Sequence, residues 1–443
     1  MKRFLRLALI FVFSCIGLTP QLPAEQRPIQ AISMLGVPLT WAAVDSQAQA
    51  RCDQAFTAYQ TDTSEANTIW YARRLGYVGE MQKALFVLDD GLKRFPKSYQ
   101  LLRHRGHRLL AMRQFSLAID DFEKAGRLIA GKPLEIEPDG IPNKLNRPLA
   151  NTQFNIFYHL GLACYLCADY AKAAAAYAQC EKWAVNSDLK VALADWRVIT
   201  YQRLGQSAMV KKILRRIPVK LSLIEDAAYH QRLLMYKGLR QPEELLSGNV
   251  ENELDLITQG YGVGNWYAQQ GETEKAREIF LKIMKLKAWN AFGYIAAEAD
   301  LARMLPFTPQ ATVEGALTAW QAFWNSTDLN ALANLFVAGE RVSYYSSEKK
   351  GLIFGLAALQ EHHRGFGFVP GGNAAANRLW LDDVCIEAGS SGCNRCLVTA
   401  TWFFAKDCRN LSAAQSGPVT FVFEKNDANW QILHAHFANW PGK

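Results

Sequence analysis

The first two-thirds of the chain repeats one alternation of small, large and polar positions. The stretches GEMQKALFVLDDGLKRFP (79–96) and RQFSLAIDDFEKAGRL (113–128) align with Ala84 and Ala118 34 residues apart. Each alanine is followed four positions later by a large apolar residue, Leu88 and Phe122. FYHLGLACYLCADYAKAAAAY carries the pattern again in Leu160-Gly161, Asp169-Tyr170, Ala173 and Tyr177. VGNWYAQQGETEKAREIF does so in Gly264, Tyr267, Gly271, Ala276 and Phe280. Between them LADWRVITYQRLGQSAMVKKIL is a degenerate copy that keeps Tyr201 and Gly205. The recurrence of these small and large positions at a near-constant spacing marks an internal repeat.

The pattern changes after LARMLPFTPQ (301–310), where two prolines fall. VEGALTAWQAFWN places Val313, Leu317, Trp320 and Trp324 on one helical face, and LNALANLF follows Asp328 as a second short helix with that residue as cap. RVSYYS reads as a strand and GLAALQEHHRGFGF as a third helix. NRLWLDDVCIEA, RCLVTATWFFA, PVTFVFE and NWQILHAHFANW then read as four strands separated by turn residues. Helices followed by an antiparallel meander predict an α+β cone with a curved antiparallel sheet.

The repeated segment resembles the tetratricopeptide repeat over roughly residues 62–300, and the resemblance implies an all-α solenoid of helix pairs. The predicted organisation is multidomain: an N-terminal linker and helix (25–61), the repeat domain (62–303), a linker (304–310) and the cone (311–443). Ala118 and Ala173 lie 55 residues apart, one repeat plus an insertion of 21 rich in proline, so a loop is expected at 131–153. In the repeat register Cys164 and Cys180 fall at buried slots and Cys167 at a helix end, so the Cys-x-x-Cys pair is expected to be packing rather than a redox or metal site. Such a solenoid binds on its concave face. Carrying the register over, that face takes in Arg73, Arg103, His107, Asn155, Tyr158, Tyr261 and Asn265, a cationic groove suited to an acidic peptide or a carboxylate terminus. GYGVGNWY (260–267) sits inside a repeat helix with no preceding strand, which argues against a nucleotide loop.

The order of elements in the last third resembles the nuclear transport factor 2 superfamily, which includes SnoaL-like and ketosteroid isomerase-like domains. That implies a domain for homodimerisation or for holding a small apolar ligand. Were it catalytic, it would need a carboxylate base and a proton donor facing one pocket. Candidates are Asp382 or Asp383, Tyr344 or Tyr345, and His434 and His436, which share one face of the last strand. If that face lines the cone, the two histidines could bind a ligand, shuttle a proton or hold a metal with His362 or His363. Cys385, Cys393, Cys396 and Cys408 could form a four-sulfur zinc site. Export favours disulfides instead, pairing Cys385 with Cys396 across a hairpin and Cys393 with Cys408. No cofactor and no metal is expected.

Composition bears on location and partners. Lys2, Arg3 and Arg6 precede an apolar run from Leu7 to Leu18 and the small-residue site Leu22-Pro23-Ala24, which reads as a secretory signal over 1–24. Cys15 in VFSC is an alternative lipidation site, and only that would tie the protein to a membrane. The expected location is the periplasm or cell envelope. There are 49 Lys/Arg against 41 Asp/Glu, a formal net charge of +8. From Ala311 onward there are ten basic and eleven acidic residues, so the excess lies earlier. Its densest run, LKRFPKSYQLLRHRGHRLLAMRQ (92–114), has no acidic residue. An exported protein rarely meets nucleic acid, so this points to an acidic peptide or an anionic envelope surface, with a solvated helix face as the alternative. The expectation is a binding scaffold rather than an enzyme, with a small-molecule isomerase-like or dehydratase-like cone as the alternative.

Overall fold

A computed structural model describes residues 28–41, 44–247, 253–373, 376–388, 393–407 and 409–440. The signal segment with Cys15, and Cys408, lie outside the described residues. The chain is multidomain and mostly helical, with a mixed sheet at the C-terminal end. A short hairpin, β1 (Ala31–Ile32) and β2 (Pro38–Leu39), opens it. The helices follow: α1 (Ser46–Thr61), α2 (Glu65–Tyr77), α3 (Met81–Arg94), α4 (Tyr99–Ala111), α5 (Phe115–Leu128), α6 (Thr152–Leu166), α7 (Tyr170–Cys180), α8 (Ser187–Arg203), α9 (Ser207–Arg215), α10 (Ala227–Tyr236), α11 (Pro242–Ser247), α12 (Glu253–Gln269), α13 (Thr273–Ile283) and α14 (Phe292–Met304).

Each helix packs on the next from α1 to α9 and again from α10 to α14, and α2, α4, α6, α8, α10, α12 and α14 also touch in series along one side. Polar caps start many of them: Ser98, Asn151 and Asn186 each accept the backbone N–H three residues on, at 2.9, 2.8 and 3.0 Å. Four pairs share one geometry. A left-handed residue ends the first helix at Gly79, Arg113, Ala168 and Gly271. Five positions later a fully buried alanine, Ala84, Ala118, Ala173 or Ala276, begins the packing face of the second. In three of the pairs a glycine of the first helix takes an aromatic ring of the second against its backbone. A Cβ on Gly106, Gly161 or Gly264 would lie 2.8, 2.3 or 2.4 Å from Phe122, Tyr177 or Phe280. Tyr177 thus fills the space within its pair, against Gly161.

Cys164 and Cys180 are buried and Cys167 half-buried, all three free. Burial pushes the Cys164 and Cys167 thiols up, to about 12 and about 11, which suits packing and not redox chemistry. The glycines of 260–264 lie inside α12, where Gly262 leaves room for Arg232. Arg232 pairs with Asp195 at 2.8 Å, both side chains wholly buried.

The C-terminal part contains α15 (Val313–Ser326), α16 (Leu332–Leu335) and α17 (Leu356–Gly365). Its strands are β3 (Ser343–Tyr345), β4 (Leu352–Phe354), β5 (Arg378–Ala388), β6 (Arg395–Ala405), β7 (Gln415–Asn426) and β8 (Asn429–Phe437). The sheet order is β4-β3-β8-β7-β6-β5. It is mixed rather than wholly antiparallel, because β3 runs parallel to β8. Trp320 of α15 packs on Phe421 and Phe437, with ring centroids 4.9 and 5.8 Å apart, which seats the helix on the sheet.

Two segments expected as linkers are built into the core. In the first, Ile32 packs with Trp380 and Ala405 of the sheet. Gln30 accepts the Met81 N–H at 2.8 Å and Glu298 accepts that of Met34 at 2.8 Å. In the second, Leu305 and Pro306 are buried in a 3-10 turn, and the apolar core runs on from helices to sheet.

Candidate functional site

A large cavity lies on the helical part. It measures about 830 Å³, between α1, α2, α4 and the inserted segment expected at 131–153. That segment leaves α5, bridges Ile136 to Asn151 and returns into α6. On its way it covers two of the predicted groove arginines. Arg73 donates to the Pro138 carbonyl at 2.8 Å, and Arg103 pairs with Glu137 at 2.9 Å. His107 lies with its ring 5.0 Å from His159 and 5.5 Å from Phe292. Burial first, then the charge of Arg108, holds it well below the usual histidine range, so it is neutral at physiological pH.

These three predicted residues line the same cavity; the other four do not. Asn155 is buried, and its carbonyl takes the Nδ1 of His159 at 2.5 Å. Tyr158 donates to Tyr229 at 3.5 Å. Tyr261 and Asn265 belong to an interior network: Tyr261 bonds Tyr165 at 2.7 Å and Asp300 at 3.1 Å, and Asn265 accepts from Arg203 at 3.1 Å. Asp300 carries both Arg203 at 2.7 Å and Arg303 at 2.6 Å. The inner row of helices is more deeply buried here than the repeat register alone predicts.

Residues not singled out from the sequence complete the cavity wall. Arg51, Arg74 and Arg108 join Arg73 and Arg103, facing the carboxylates of Asp45 and Glu137. For Arg108 the signal was present in the acid-free run 92–114, but which of its cations would be neutralised was not readable there; Arg51 and Arg74 lie outside that run.

The smaller cavity, about 300 Å³, opens in the C-terminal part. Trp324, Tyr344, Trp402, Phe404 and Phe437 line it, with the exposed Glu348, Lys406 and Gln415 also on its wall. Of the catalytic candidates only Tyr344 is there. It is 3 % exposed and burial pushes its hydroxyl up in pKa, so it is protonated. His434 and His436 are corrected by the strand's alternation. Ala435 and Phe437 take the buried face and leave the histidines on the opposite one, beside Ser343 and Tyr345. Asp382 and Asp383 are exposed at an irregularity in β5 and do not line the cavity. His363 is enclosed by Phe323, Trp324, Tyr344 and Phe368, and burial pushes it down to about 4.

The expected Cys385–Cys396 bridge is corrected as well. The β5–β6 register puts Cys385 opposite Thr399 and Cys396 opposite Ala388, so the two cysteines are three positions out of register and do not face each other. Cys396 is buried while Cys385 and Cys393 are exposed, all three free. No group of three metal-ligating side chains occurs among the described residues.

No family model and no curated protein matches this chain.

Solved structures similar to it in shape include a nuclear transport factor 2-like superfamily protein from Salmonella enterica serovar Typhimurium. It is 17% identical, covering 33% of this chain and 94% of that one at a TM-score of 0.24. A protein of the same fold from Shewanella oneidensis is 17% identical, covering 28% and 93%, with a TM-score of 0.23. A structure of Naa15/Naa10 bound to HypK-THB is 14% identical, covering 65% and 46%, with a TM-score of 0.27.

Proposed function

We propose that this chain is an exported, non-catalytic scaffold. Its helical part is a tetratricopeptide-repeat solenoid that binds an acidic protein or peptide segment, working in the periplasm or cell envelope. The C-terminal part is a nuclear transport factor 2-like cone that serves dimerisation or holds a small apolar ligand. One observation carries the reading: five arginines and two carboxylates line the 830 Å³ cavity, so the face has cations to offer a partner. The recurring turn, alanine and glycine–ring contacts support the repeat assignment.

The test is cross-linked capture from the source organism's envelope fraction, with wild type beside Arg51→Glu/Arg74→Glu. Both arginines are half-buried, so the variant is expected to fold, as circular dichroism would check. A defined partner held by the wild type and lost by the variant is the expected result. An identical captured set from both would refute the reading. The aromatic wall of the smaller cavity favours a second reading, carriage of a flat apolar ligand, which native mass spectrometry of freshly purified protein would detect.

A further inference from the structure

The acid-free run 92–114 holds five arginines, and tertiary structure treats one of them differently. Arg94 pairs with Asp90, Arg103 with Glu137, Arg105 with both Asp89 and Asp121, and Arg113 with Glu298. Arg108 forms no ion pair with any described residue. It is only 7% exposed, and its guanidinium meets the thioether of Met81 at 3.6 Å. The backbone has made room for it: a Cβ on Gly76 would lie 2.3 Å from Arg108 Nη1. Its neighbours do not supply the missing charge. Arg73 and Arg74 are bonded to the carbonyls of Pro138 and Gly140. Asp45 caps α1, Glu137 is engaged by Arg103, and Asp139 stands near Arg73 with its carboxyl raised by burial. His104 and His107 are neutral, so they add hydrogen-bonding capacity without adding charge. Burial and the charges of Arg103 and Arg73 pull Arg108 down to about 10, the direction expected of a cation lacking a counter-ion.

We infer that the cavity is a polyanion site anchored by Arg108. Its ligand carries two or more neighbouring carboxylate or phosphate groups, which enter beside Arg108 and spread toward Arg74 and Arg51. The inference rests on the helical face used in the binding reading above and names its ligand chemistry. A buried guanidinium without a partner destabilises the empty protein, and an anion in the cavity removes that cost. The same groups could come from a small free polyanion or from the acidic side chains of a peptide.

The experiment is calorimetric titration of the full chain with pyrophosphate, citrate and an end-blocked tetraglutamate peptide, alongside thermal unfolding. Arg108→Met, Arg74→Gln and, as an off-site control, Arg127→Ala are compared with wild type. At least one probe is expected to bind at a single site and raise the unfolding midpoint. Arg108→Met should weaken that binding at least about tenfold and raise the midpoint of the empty protein. Arg74→Gln should weaken binding less, and Arg127→Ala not at all. Binding of pyrophosphate or citrate alone identifies a small polyanion, and binding of the peptide alone identifies an acidic chain. The inference is overturned if none of the three binds, if Arg108→Met leaves affinity unchanged, or if that variant unfolds, which would make Arg108 a structural residue. Anion binding without partner capture sinks the scaffold reading only. Partner capture lost in Arg51→Glu/Arg74→Glu, with no anion bound, sinks this inference only.

Discussion

Removing Glu298 tests whether one buried ion pair joins the parts of this molecule. Arg113 Nη2 lies 2.6 Å and Nε 3.0 Å from the Glu298 carboxylate, with both side chains wholly buried. The guanidinium also donates to the Trp289 carbonyl at 3.0 Å, and Glu298 accepts the Met34 N–H at 2.8 Å. The Arg113 carbonyl in turn accepts from Arg378 of the sheet at 2.6 Å. One pair therefore ties the N-terminal hairpin, the α4–α5 turn, α14 and the sheet. Glu298→Ala leaves a buried guanidinium without a counter-charge, costing about 3–5 kcal/mol. It also orphans the Met34 N–H, for about 1 kcal/mol more. Arg113→Met/Glu298→Leu removes both charges and should recover all but about 1–2 kcal/mol, the remainder reflecting lost hydrogen bonds and imperfect packing. Urea unfolding followed by tryptophan fluorescence and far-UV circular dichroism measures this. Both probes should shift together, because the residues of the pair also bond the N-terminal hairpin and, through the Arg113 carbonyl, the sheet. A loss under about 1 kcal/mol in Glu298→Ala, or a double variant no better than the single one, would refute the reasoning.

Gly161→Ala should lose about 1–2 kcal/mol, since overpacking against Tyr177 exceeds the roughly 1 kcal/mol gained in helix propensity. Gly365→Ala, whose Cβ meets nothing within 4 Å, should be neutral or mildly stabilising in the same melts. Burial and the nearby Asp188 and Glu225 raise Asp226 to about 8, so the folded protein keeps a proton there that the unfolded chain loses near pH 4. Stability from this group therefore falls as pH rises from about 4 to about 8. Asp226→Asn should melt progressively higher than wild type across that range, and an equal difference at pH 5 and pH 8.5 would contradict it. Mass-mapped alkylation of the native protein should modify Cys385 and Cys393, leaving Cys52, Cys164, Cys180 and Cys396 until unfolding.

Much of the local structure was legible because it is carried by residue pairs close in sequence. Gly161 with Tyr177, and Gly264 with Phe280, lie sixteen positions apart and meet within one helix pair. The strands from Arg378 to Phe437 were readable from alternation and turn residues, and so was α15 from its apolar face. The parallel β3–β8 contact was not, because it joins Ser343 to His434 across most of the domain. Nor was the strand face of His434 and His436. Alternation says that they share a face, and only the packing of Ala435 and Phe437 says that it is the outer one.

By itself, the chain's order of small, large and turn residues determined its helix pairs, its late change to strands and the burial of Cys164 and Cys180. Those depend on backbone periodicity and on neighbours within some twenty positions. Tertiary structure decided how charge is distributed. The sequence shows Arg105, Arg108 and Arg113 as similar members of one basic run. Folding brings Asp121 and Asp89 to the first and Glu298, 185 positions away, to the third, while no described carboxylate pairs with the second. Arg113 also takes the left-handed turn position held by Gly79 and Gly271 in two of the other pairs, at a cost of roughly 1 kcal/mol, and there its side chain reaches Glu298. Ion pairing is set by distance in space and by the exclusion of water. Neither is encoded in spacing along the chain.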